Sequence, residues 1–180
     1  MPRSLVVIDM QRVFAEPPSP WAAPAFDRAL AGTRRLLPAF SGRTVFTRYV
    51  APLRPQGAWI PYFEQWPFAL VAHDDPLYEI VPELREAAEH AVVETRESFG
   101  KWDDGLAAAT GGAREIVLAG VSTDCCVIAT ALAAGDAGVR VRVAADACAG
   151  ASEEDHERAL AAMALFAPLV EVTTVDALLD

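Results

Sequence analysis

Three residue types in this 180-residue sequence could act together on a carbonyl group: a thiol, a carboxylate and an ammonium. The thiols are Cys125 and Cys126, adjacent in the run Gly120-Val-Ser-Thr-Asp-Cys-Cys-Val127. The carboxylate is Asp9, directly after the apolar run Leu5–Ile8. The ammonium is Lys101, the only lysine among the 15 lysines and arginines. A carboxylate can take a thiol proton, an ammonium can favour the thiolate, and the thiolate can attack a carbonyl carbon.

The elements that must position these groups are short and apolar. Residues 5–8, 43–47, 91–94, 115–119, 139–143 and 169–173 read as six buried strands, rich in β-branched residues. Helical patterns separate them at 25–40, 82–90, 103–110, 127–137 and 152–167, with a last turn at 175–179. Strands alternating with helices specify an α/β fold, a three-layer αβα doubly wound, six-stranded, mostly parallel sheet with right-handed crossovers. Ligands of such sheets bind beyond the carboxyl ends of strands. Asp9, Lys101 and Cys126 each lie beyond the end of a different strand. Thr123 and Asp124 are natural N-cap residues, which places both cysteines in the first turn of the following helix. There, free N–H groups and the helix dipole would favour a thiolate and could hold an oxyanion. No G-x-G-x-x-G follows the first strand, which disfavours a dinucleotide site.

The proline-rich residues 15–24 and 50–78 break this regular pattern. The second carries Trp59, Tyr62, Phe63, Trp66, Phe68 and Tyr78, and reads either as a substrate lid or as an oligomer contact. Arg48 and Tyr49 close the second strand on the side of Asp9.

An apolar content of 53% suits one well-cored domain over residues 1–180, and the net charge of −10 argues against nucleic acid and anionic membranes as partners. Three cysteines form no disulfide framework and show no zinc spacing, and neither a signal-peptide core nor a spanning segment occurs. The expectation is a reduced, cytoplasmic protein.

The sequence resembles the isochorismatase-like cysteine hydrolases. The matching stretches are VVIDMQ at residues 6–11, LAGVSTDCCV at 118–127 followed by Thr130-Ala131, and DACA at 146–149. The resemblance implies an Asp-Lys-Cys triad with the nucleophile immediately before Val127, hence Cys126, and a cis peptide at Val121–Ser122. It also implies an oxyanion hole from the backbone N–H groups of Ser122 and Cys126, and a homo-oligomer (dimer or tetramer). The family's lysine directly follows the third strand, where this chain has Thr95. Either the loop returns to present Lys101, or Arg96 supplies the cation, or the triad is incomplete. The sole lysine favours Lys101, because an arginine stays protonated and hardly shuttles protons.

Metal-binding members carry an Asp-x-His and further histidines after the second strand. His73, His90 and His156 do not follow that pattern, so no metal and no cofactor are expected. The expected activity is metal-independent cysteine hydrolysis of an amide or carbamoyl C–N bond of a small molecule through a thioester. The alternatives are vinyl ether hydrolysis of the isochorismatase type, with Asp9 as acid, and a non-catalytic binding protein on the same fold. Gln11, Arg48, Tyr49, Trp59 and Trp66 are the candidate substrate contacts.

Overall fold

The computed structural model describes residues 3–180. Its centre is a six-stranded sheet in the order β3-β2-β1-β4-β5-β6, parallel at every pairing. The strands are β1 (Ser4–Ile8), β2 (Thr44–Tyr49), β3 (Val92–Arg96), β4 (Glu115–Val121), β5 (Arg140–Ala149) and β6 (Val170–Thr173). Among the described residues the α-helices are α1 (Arg12–Ala15), α2 (Phe26–Leu36), α3 (Trp59–Gln65), α4 (Pro82–Glu89), α5 (Asp104–Ala109), α6 (Ile128–Asp136), α7 (Glu153–Ala164) and α8 (Val175–Leu179).

Side chains alternate across a strand, and here both faces are covered, so both sets are apolar. Leu5, Val7, Val117, Ala119 and Val121 face α2 and α8, packing on Phe26, Ala29, Leu36, Val175 and Leu178. Val6, Ile8, Ile116 and Leu118 face α5, α6 and α7, packing on Leu106, Val127, Ala131, Ala134 and Met163. Each fully buried Val, Leu or Ile contributes about 1.5–3 kcal/mol relative to exposure.

Several boundaries differ from the sequence pattern. β2 and β3 each run two residues further, through Arg48-Tyr49 and Thr95-Arg96, and β5 continues to Ala149. α2 stops at Leu36, and residues 37–40 tighten into a 3-10 turn containing Pro38, which has no N–H for the helical ladder. α7 ends at Ala164, three residues before the boundary read from the sequence. No helix among the described residues is long and apolar enough to cross a membrane.

The aromatic residues of 59–78 turn inward. Phe63 and Tyr78 are fully buried, and Trp59 packs on Tyr62, Phe63 and Phe99. Trp59, Tyr62, Trp66 and Phe68 are half-buried against these and other rings of the subunit. From β1 the chain winds outward to β2 and β3 on one side, while β4, β5 and β6 lie on the other. This topology opens a crevice between the loops after β1 and β4.

Candidate active site

Asp9 is the first residue beyond β1 and has a positive φ of 48°, a strained conformation for a residue with a side chain. Its neighbour in the sheet explains the tight geometry. Gly120 in β4 has φ 117°, and a Cβ there would lie 2.0 Å from the Ile8 carbonyl oxygen. Only glycine lets β4 pass this close to the carboxyl end of β1. The peptide bond from Val121 to Ser122 is cis.

The Asp9 side chain is completely buried. Its Oδ1 accepts a hydrogen bond from Thr47 Oγ1 at 2.6 Å, and its backbone N–H donates to the same hydroxyl at 3.2 Å. Its Oδ2 lies 3.0 Å from Nζ of Lys101, in an ion pair whose side chains are both 0% exposed. Among the described residues Oδ2 has no aligned hydrogen bond, which leaves it lone-pair capacity.

The β3–α5 loop folds back to deliver Lys101. Its ammonium donates to the Ser98 carbonyl at 2.5 Å and stands 5.0 Å over the Tyr49 ring. Its backbone N–H donates to Thr130 Oγ1 at 3.0 Å, and that hydroxyl donates to the Cys126 carbonyl at 2.7 Å. One threonine of α6 thus ties the lysine loop to the cysteine turn. Gly100 is not needed for a left-handed bend, since a Cβ there would make ordinary 3.7 Å contacts with Ala129. Arg96 points elsewhere: it pairs with Asp103 and Glu94 at 2.7 Å each, and it takes no part in the site.

Residues 123–127 form one wide π-helical turn leading into α6. The Ser122 carbonyl accepts the N–H groups of Cys125 and Val127 and skips that of Cys126. Thr123 and Asp124 do not cap the helix. Thr123 Oγ1 is 2.8 Å from His156 Nδ1, and Asp124 Oδ1 accepts from the Ala151 N–H at 3.0 Å. Both bonds tie the cysteine turn to the start of α7, so the N-cap position falls to Ser122, whose side chain makes no capping bond.

Cys126 is 3% exposed, whereas Cys125 is exposed. Burial pushes the Cys126 thiol well above its ordinary range and the nearby Asp9 adds to this, with Lys101 pulling the other way. Burial thus opposes the thiolate that the helix start was expected to favour. Cys125, exposed as a residue but with neighbouring groups partly desolvating its sulfur, is pushed up to about 11 by that desolvation and then by Asp124.

Above Cys126 lies a cavity of about 190 Å³, with Phe14, Trp21, Tyr49, Tyr62, Trp66 and Phe99 among its walls and Ser122, Cys125 and Cys126 at its base. Of the candidate contacts, Tyr49 and Trp66 line it and three do not. Gln11 is a strut: its Nε2 donates to the carbonyls of Tyr49 and Tyr78 at 2.8 Å each, and its Oε1 accepts from the Tyr49 N–H at 2.7 Å. Arg48 faces away, because Thr47 and Tyr49 project to the Asp9 and cavity side and alternation sends Arg48 to the other face. Trp59 stands behind the wall, 5.3 Å from both Tyr62 and Phe99. Sequence reasoning missed Phe14, Trp21 and Phe99 as wall residues and named Tyr62 only as part of the possible lid. A tryptophan in a proline-rich loop following the Asp9 strand was the signal available for Trp21.

Among the described residues, no three His, Cys, Asp or Glu side chains group to hold a metal ion. His73 Nε2 is 2.8 Å from the Ala51 carbonyl, His156 is bonded to Thr123, and His90 lines a groove at the opposite end of the sheet. One carboxylate and one thiol beside an ammonium do not fit a divalent metal.

A family model described as the isochorismatase domain matches residues 3–177. Comparison with curated protein sequences returns no match. Among solved structures, the chain is similar to a cysteine hydrolase from Pseudomonas syringae pv. phaseolicola (TM-score 0.83, 19% identity, 98% of this chain and 90% of that one). It is also similar to N-carbamoylsarcosine amidase from Thermoplasma acidophilum (TM-score 0.76, 22% identity, 98% of each chain). A third similar structure is the pyrazinamidase of Pyrococcus horikoshii in complex with zinc (TM-score 0.75, 25% identity, 96% of this chain and 98% of that one). A family model that accounts for nearly the whole described chain, over the same six-stranded parallel sheet, settles its descent: the protein belongs to the isochorismatase family of hydrolases.

Proposed function

We propose that this protein is a cysteine hydrolase that cleaves an amide or carbamoyl C–N bond of a small molecule. The observation that carries the reading is the 3.0 Å Asp9–Lys101 ion pair, fully buried beneath the Cys126 cavity. An ion pair costs desolvation and is weak support for stability, so its place under a nucleophile favours a chemical role.

Cys126 starts as a thiol. As its sulfur attacks the carbonyl carbon, the free lone pair of Asp9 Oδ2 takes the proton, and the 3.0 Å contact with Lys101 holds that carboxylate in place. The oxyanion falls to the N–H groups of Ser122 and Cys126, the latter being the one that the Ser122 carbonyl skips. Asp9 then returns the proton to the leaving nitrogen, the C–N bond breaks, and a thioester remains. In the second half Asp9 takes a proton from water while the water oxygen adds to the thioester. The C–S bond breaks, the proton returns to sulfur, and a carboxylic or carbamic acid departs. Each residue ends as it began.

Two observations support this over the vinyl ether reading. A retained thiol at the cavity base has no task in acid-catalysed enol ether cleavage. Isochorismate also carries two carboxylates, and the cavity has no arginine or lysine in its lining. Ammonia release from a panel of primary amides and N-carbamoyl compounds tests the proposal. Activity that is abolished by Cys126→Ala and largely kept by Cys125→Ala is the expected result. The reverse pattern, or pyruvate release from isochorismate without ammonia release from any amide, overturns it.

A further inference from the structure

We propose that the cavity selects an amide whose non-reacting end is a cation, a quaternary ammonium or protonated amine. The inference takes only the reacting end, the amide, from the function proposed above.

The cavity is aromatic and its charge is one-sided. Asp124 is the one formally charged residue in the lining, and no arginine, lysine or histidine lines it. The nearest ammonium, Lys101, lies below the base, 1% exposed and committed to Asp9 and Ser98. An anionic substrate would lose its water against the electron-rich ring faces and a carboxylate, with no side-chain cation to replace it. A cation meets the opposite situation.

The rings form a corner. The Trp21 centroid lies 6.2 Å from that of Tyr62 and 6.1 Å from that of Trp66, with interplanar angles of 38° and 62°. The three rings pack on one another and all line the same 190 Å³ cavity, so an ammonium group held there meets more than one ring within the roughly 6 Å range of cation–π attraction. Burial and the neighbouring cysteines push the Tyr62 phenol up to about 12, so its ring stays neutral across the working pH range. Asp124 completes the site. Its Oδ1 holds the Ala151 N–H and its Oδ2 is 3.7 Å from the Cys125 sulfur, both weak claims on a full negative charge. The net charge of −10 favours approach of cations from a distance. The 190 Å³ volume limits the group to a compact one, about the size of trimethylammonium.

The test separates charge from shape. In a Cys126→Ala background, which stops turnover, calorimetry compares 2-(trimethylammonio)acetamide with 3,3-dimethylbutanamide. The two differ only by nitrogen for carbon at the branching atom. The cation should bind at least tenfold tighter, and the succinamate anion should show no binding. Trp66→Leu should remove most of that ratio, and Asp124→Asn, which keeps the acceptor for Ala151, should reduce it several-fold. Equal or tighter binding of the neutral isostere, no binding of either amide, or a ratio unchanged in a folded Trp66→Leu variant overturns the inference. If Trp66→Leu does not fold, the isostere ratio in Cys126→Ala decides alone. Ammonia release by the unsubstituted protein reports on the hydrolase reading separately. Cation-selective binding without release removes that reading and keeps this one, and release without cation preference does the opposite.

Discussion

The base of the cavity brings together Asp9, Lys101 and Cys126, none more than 3% exposed, through bonds to Thr47, Ser98 and Thr130. Its walls, in contrast, include the half-buried Trp21, Tyr62 and Trp66, drawn from a proline-rich loop and the α3 region and held chiefly by ring contacts at 5–6.4 Å. At the base, geometry is fixed by charge and hydrogen bonds to strand and helix ends. In the walls it is set chiefly by how the rings pack. The difference teaches where sensitivity lies: the base should fail abruptly when one group is removed, and the walls should retune.

The largest expected effect is at the ion pair. Lys101→Ala leaves a buried carboxylate without its partner, which should destabilise the fold by about 3–5 kcal/mol in urea unfolding. Ammonia release should fall by about a thousandfold, the middle of what positioned proton-transfer groups contribute. Asp9→Asn combined with Lys101→Met should recover much of the stability and none of the activity. A single Lys101→Ala variant as stable as the parent would break the distinction between base and walls.

Next comes the backbone crossing. Gly120→Ala would put a Cβ 2.0 Å from the Ile8 carbonyl oxygen at a φ of 117°. Strain of that kind costs about 1–3 kcal/mol before the overlap is relieved by moving β1, and any such movement displaces Asp9. Loss of both stability and turnover is expected, the first by thermal unfolding and the second by ammonia release. A variant with unchanged turnover would show that the Asp9 position tolerates movement.

The same contrast explains what could be read from the sequence. Strand ends are legible, because an apolar run followed by a polar residue fixes which end of the sheet that residue occupies. Asp9 after Leu5–Ile8 and Cys126 after 115–119 could be placed together on that ground, and the lone lysine stood out against 14 arginines. The walls were not legible. Which rings meet depends on how two proline-rich segments fold over the sheet, and no local period encodes that path. Trp59 was selected although it stands behind Tyr62, and Trp21 was passed over although five rings surround it. Gln11 and Arg48 misled for another reason: a place at the Asp9 end of a strand says nothing about which face of the chain a side chain takes. Burial, which no sequence window reports, works against the thiolate expected at the helix start.

Tyr49 belongs to both regions and sharpens the comparison. Its ring lines the cavity and faces the Lys101 ammonium, while its buried hydroxyl has no hydrogen-bond partner. Tyr49→Phe keeps the ring and removes an unsatisfied group, so stability should stay level or rise by about 1 kcal/mol. A loss above that size in urea unfolding would mean that the hydroxyl is bonded in solution and that the wall carries polar constraints too.

The smallest effect is a pH slope at the outer support of the base. His156 is 5% exposed, and its Nδ1 meets the hydroxyl of Thr123, the residue that opens the cysteine turn. Burial, and then Arg28, push the imidazole below its ordinary range, against the smaller opposing pull of Glu153, Glu157 and Asp124. A base whose folded value lies below its unfolded value of about 6.5 takes up a proton more readily when unfolded. Its contribution is therefore fully present above that pH and is lost as pH falls through the window beneath it. Carboxylates lose stability in acid as well, so the informative quantity is a difference. Between pH 7.5 and 5, the melting temperature of the parent should fall more than that of His156→Gln, whose side chain can still meet Thr123 but takes no proton. Parallel curves would show that His156 is already paired when charged, and that the turn carrying Cys126 is anchored at α7 without regard to protonation.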